Sequence, residues 1–162
     1  MHLLFILAAL TYGAASFAYG LDPDAPDSAS RSQVARQTTA RQRRALAVLV
    51  FAALLHLCTI GAQCVRGEHP FESVFLATSL GALITVIGYC ALTLARPVHA
   101  LGGVVAAVGL LGLAVGVMFG ATSVHDPLPA PVQSLATAHV GLATAGLAGF
   151  TLAAAVAGLY LV

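Results

Sequence analysis

The chain has 162 residues, 59% of them apolar and only 8% charged, with a mean hydropathy of +0.94. A water-soluble domain carries about a quarter charged residues, so this composition excludes one and places the chain in a membrane. The net charge of +1 is uninformative, but five of the seven basic residues, Arg31, Arg36, Arg41, Arg43 and Arg44, fall in one short segment. That run abuts an apolar stretch, so no nucleic-acid surface is expected.

A bilayer core takes about 20 apolar residues per helix. Five segments qualify, at about 2–21, 45–65, 71–95, 98–121 and 133–162. They predict an all-α polytopic bundle of five transmembrane helices in one domain. The runs are too long for membrane strands and lack their alternation. The first segment is preceded only by Met1 and His2. Without a basic n-region it reads as a retained helix, not a cleaved signal. It carries Tyr12, Ser16 and Tyr19 on one face. The connection 22–44, "DPDAPDSASRSQVARQTTARQRR", reads as a polar loop. Its arginines put it on the cytoplasmic side, so the N-terminus is expected outside and the C-terminus inside. "RGEHPFES" and "TSVHDPLPAPVQ" then face out, with His69 and His125, and "ARPVHA" faces in.

The second helix presents His56, Thr59 and Gln63 at i, i+3 and i+7, a common face directed into the bundle. The third has a similar stripe of Thr78, Thr85 and Tyr89. Three polar stripes predict a polar interior or a buried polar ligand. In the fourth helix Gly112, Gly116 and Gly120 are four apart, and such a face lets another backbone approach closely. Cys58, Cys64 and Cys90 lie in apolar segments without a CxxC spacing, and are read as small packing residues.

Ionisable side chains inside a membrane are costly and mark functional positions. His56 and His139 qualify. His56 reads either as an interhelical hydrogen-bond partner or as a ligand. His139 enters the membrane from the side that also holds His2, His69 and His125, each of which alone reads as a solvated imidazole. Imidazole suits haem iron, and a helix bundle can sheath a porphyrin. At 1.5 Å per residue His139 lies about 8 Å below the outer boundary and His56 about 13 Å. Structural zinc is disfavoured because no clustered Cys/His spacing exists. A proton path would call for a membrane carboxylate, and the apolar cores have none.

The segment "PAPVQSLATAHVGLATAGLAGFTLAAAVAGLYLV" resembles the part of the CcsA/ResC cytochrome c assembly proteins in which a Pro–Ala–x–Gln–Ser-like turn leads to His–Val and a helix of small residues. "RGEHPFESVFLATSLGALITVIGY" resembles that family's Gly–His–x–Pro … Tyr–Glu–Ser segment, and "AALLHLCTIGAQ" is similar to the HemX/YpjD branch. The resemblance covers about 54–162 and the N-terminal part of the family. It implies a haem-handling protein of the bacterial inner membrane, serving attachment of haem to apocytochrome c. It makes His139 one of two outer-face haem-ligating histidines and places Glu72 at the family's Tyr–Glu–Ser glutamate, with Phe71 for Tyr. Departures are the missing Trp-rich outer loop, since the chain has no Trp, the missing second outer histidine, and Thr85 where relatives carry a third-helix histidine. A complete haem lyase is therefore not expected. A second membrane subunit would supply the other half, the chain being one half of a split protein or a divergent relative. The site expectation is His139 and His56 on the iron of a b-type haem, held or passed on, with His69 and His125 as further haem-binding candidates. The alternatives are a haem-free structural or anchor subunit, and a b-type electron-transfer anchor with His56 and His139 as axial ligands.

Overall fold

The computed structural model describes residues 2–20, 31–71, 73–95, 98–120 and 130–159. It contains α1 (His2–Gly20), α2 (Arg31–Val65), α3 (Val74–Ala95), a 3-10 turn (His99–Leu101) leading into α4 (Gly102–Phe119), and α5 (Ala130–Leu159). No strand occurs among the described residues. All five α-helices are long and apolar enough to cross a membrane, so the all-α five-helix bundle stands.

The expected polar loop over 22–44 is corrected for 31–44, which is helical and continuous with the membrane part of α2. The physical reason is propagation. No Gly or Pro interrupts 31–44, Arg, Gln and Ala are good helix formers, and extending a helix already nucleated in the membrane avoids the nucleation cost. The 21 residues 45–65 cover about 31 Å, enough for the hydrocarbon core. At its other end α2 closes with a Schellman pair: Glu68 N–H donates to Gln63 O at 3.1 Å and Gly67 N–H to Cys64 O at 3.0 Å. Gly67 takes φ +84°, the left-handed conformation this cap requires.

Helices α1 to α4 form the packed body. Helix α1 lies against α2 and α4, and α3 lies against α4 and α2. Tyr12, Leu49, Leu83, Val86, Tyr89, Val105 and Leu113 form its buried centre. The glycine face of α4 meets α3. A Cβ on Gly112 would strike Ala82, one on Gly116 would lie 2.5 Å from Ser79 Cβ, and one on Gly120 2.5 Å from Leu76 Cδ2. Gly109 on the same helix leaves room for the Tyr12 ring.

Helix α5 is peripheral. Its span is 11% buried against 50% for α3. It is seated on α3 at two glycines: Gly81 faces the Thr144 methyl and Gly88 the Leu152 side chain. Thr144 and Ala148 are buried there, whereas Ser134, Leu135, Ala138, His139, Leu142 and Ala143 nearer its N-terminus are exposed.

Three of the nine stripe residues, Thr59, Thr78 and Thr85, are settled within single helices. The hydroxyls of Thr59, Thr78, Thr85, Thr93, Thr144 and Thr151 donate to the carbonyl four residues back. Back-bonding of this kind satisfies a hydroxyl in a membrane without another helix or a ligand, so the threonines do not require a polar interior.

Candidate functional site

Helix α2 turns His56, Thr59 and Gln63 inward as their spacing predicts, and all three are buried. The His56 ring bridges three helices. Its Nδ1 lies 3.1 Å from the Tyr12 hydroxyl of α1, and its Nε2 lies 2.9 Å from Ser79 Oγ of α3. The Tyr12 and His56 rings meet edge to face, 5.8 Å between centroids at 87°. A neutral imidazole has one donor and one acceptor, and a hydroxyl can serve as either. Both nitrogens are therefore satisfied in either tautomer, and neither keeps a free lone pair for a metal. Seven residues on, Gln63 Nε2 donates to the Gly116 carbonyl of α4 at 3.5 Å. The face of α2 thus ties α1, α3 and α4 together.

His139 stands elsewhere. It lines a groove of about 840 Å³ whose floor is α3 and whose walls are α4 and α5. The groove runs along α5 from His139 to Thr151, beside the contact of Thr144 with Gly81. Its lining is apolar and small, including Ala82, Val108, Leu111, Gly112, Ala143 and Leu147. Ser73, Thr78, Thr85, Thr144 and Thr151 are its other polar members beside His139, and four of these are threonines whose hydroxyls are spent on their own helices. His139 is the groove's one titratable side chain among the described residues. Ligand pockets run about 300–1,000 Å³ and are mostly apolar with few polar groups, and this groove fits that description.

The structure does not bring the sequence-derived histidines together. His56 is sealed in the body and does not line the groove. His69 is exposed beyond the end of α2. His125 and Glu72 lie outside the described residues. No group of three His, Cys, Asp or Glu side chains able to hold a metal occurs among the described residues. The three cysteines are free, Cys58 exposed and Cys64 and Cys90 partly buried. Ser79 is the functional neighbour that sequence reading missed. Its one signal is a hydroxyl on the α3 face that meets a glycine stripe.

Fold and site define a multi-pass α-helical membrane protein with a sealed polar node and a separate, side-opening groove. Comparison with protein-family models, curated proteins and solved structures gives no match for this chain.

Proposed function

We propose that the chain is a haem-handling membrane protein of the cytochrome c assembly type, with the groove under His139 as the place where haem docks. The observation that carries this is the groove itself: one imidazole in an apolar cleft of about 840 Å³, a size that suits a drug-sized ligand. The resemblance in the flanking segments supports the same reading. His139 would hold the iron, and the α3, α4 and α5 side chains would shield the macrocycle from water. The redox and attachment chemistry belongs to the haem. Among the described residues, no second His, Cys or Met and no Arg lines the groove. In this reading a further iron ligand and a partner for the carboxylates would come from outside the groove's described lining, and we propose a second membrane subunit as their source. His56 has no lone pair to give, so the one-histidine form is favoured over a two-ligand electron-transfer anchor.

Haem titration of the purified chain tests this. Wild type is expected to develop a ligated-haem absorbance band. His139→Ala is expected to bind at least about tenfold more weakly, a loss of about 1.4 kcal/mol or more, and added imidazole to restore part of the band. A wild type without haem absorbance, or a variant that binds equally well, leaves the second reading: a haem-free structural subunit. The exposed apolar length of α5 and the self-contained node at His56 favour that alternative.

We place the chain in a bacterial inner membrane, N-terminus outside and C-terminus cytoplasmic. The motive is the arginine cluster at the start of α2. A reporter active only outside the cytoplasm is expected to work fused at the N-terminus and to fail at Val162. The reverse pattern overturns the orientation.

A further inference from the structure

From the continuity of α2 through its arginine-bearing turns we infer an anionic-phospholipid site at that end of the helix, whose ligand is the phosphate-bearing headgroup of a lipid such as phosphatidylglycerol. The site is independent of the haem reading. Three observations carry it. First, 31–44 is helix in register with the membrane span, so the backbone positions that carry the arginines have set heights and angles. With 45–65 as the hydrocarbon stretch, positions 43 and 44 come at its edge, where headgroups are expected, and position 36 comes about 10 Å further out. Second, their contacts separate the arginines. Positions 36, 43 and 44 fall within about 100° of one another around the helix, and the side chains of Arg43 and Arg44 are exposed. Arg41 is turned away toward α1, where its Nη2 donates to the Ala18 carbonyl at 3.0 Å. That bond satisfies an orphan carbonyl in the last turn of α1. Third, no Asp or Glu occurs between 31 and 65, so the helix itself offers the arginines no carboxylate partner.

A lipid is the occupant rather than a soluble acidic partner because the exposed pair emerges where the headgroups are. Juxtamembrane basic clusters gain roughly fivefold in affinity per Lys or Arg near an anionic surface. The purified full chain is incubated with equal amounts of phosphatidylglycerol and phosphatidylcholine in neutral detergent, and retained lipid is counted by native mass spectrometry. Wild type is expected to prefer phosphatidylglycerol by about tenfold or more, and less so at about 0.5 M salt. R36Q/R43Q/R44Q is expected to lose the preference, and R36K/R43K/R44K to keep it. R41Q is expected to leave it within about twofold, because Arg41 is engaged with α1. Soluble glycerol phosphate is expected not to displace the lipid, since it lacks the acyl chains that hold the headgroup at this height. The proposal is overturned if wild type shows no preference, if the triple glutamine variant retains it while circular dichroism shows an intact bundle, or if R41Q alone abolishes it. Should the glutamine variant fail to fold, the wild-type salt dependence and the lysine variant decide.

Discussion

Gly116→Leu is expected to lower the thermal stability of the bundle in detergent by about 3 kcal/mol or more, or to prevent folding outright. Overpacking a core costs about 1–3 kcal/mol when side chains can move aside. Here the first atom of the new side chain would lie 2.5 Å from Ser79 Cβ and 2.7 Å from Ser79 Oγ, with the Phe75 carbonyl 3.6 Å away. The clash is with atoms next to the backbone of α3, so relief requires moving one helix off the other. That movement also draws Ser79 from His56 and Gly116 O from Gln63, so one substitution disturbs the α3–α4, α2–α3 and α2–α4 contacts together. Gly146→Leu is the matched control, because nothing lies within 4 Å of a Cβ there. Unfolding followed by circular dichroism should separate the two. Equal midpoints for both variants would mean that α3 and α4 do not meet through this face.

The contrast between those glycines shows what sequence could reveal. Four-residue spacing is enough to mark Gly112, Gly116 and Gly120 as a contact face, because helix geometry alone puts them in line. The five spans follow from apolar length, and the inward turn of His56, Thr59 and Gln63 follows from period. Three features were illegible for physical reasons. Residues 31–44 read as loop because a polar helix outside the membrane has no apolar stripe to betray it; its helicity is inherited from the neighbouring span. Helix α5 is small and apolar all round, so its pattern carries no information about which side faces α3. The exposure of His139 therefore depends on where Thr144 and Leu152 seat the helix against Gly81 and Gly88. The pairing of His56 with Ser79, 23 residues away on another helix, likewise depends on the rotation of both helices and on no spacing within either.

His56→Ala is expected to destabilise the bundle without touching haem binding, and this split distinguishes a structural histidine from an iron ligand. Removing the ring leaves the Tyr12 hydroxyl and Ser79 Oγ without their shared partner at the centre of the body. Interhelical side-chain hydrogen bonds in membranes average about 0.6 kcal/mol and reach about 1.7, so two of them supply about 1–3 kcal/mol. The cavity adds to this, since lost packing around a truncated buried side chain is only partly recovered by relaxation. Ser79 can recover part of the loss by bonding to a carbonyl of its own helix, as the threonines do. Tyr12 cannot, because its hydroxyl is at the far end of a rigid ring. A net loss of about 2–4 kcal/mol follows. His56→Gln, which can again span a donor and an acceptor, should return part of it, whereas no return is expected if the ring acts only by volume. Haem absorbance per folded protein should match wild type in His56→Ala and fall in His139→Ala. If instead His56→Ala loses haem while its unfolding midpoint stays put, the Tyr12–His56–Ser79 network opens in the haem-bound protein and His56 is the ligand. The groove under His139 would then be a lipid-facing cleft of no consequence for iron.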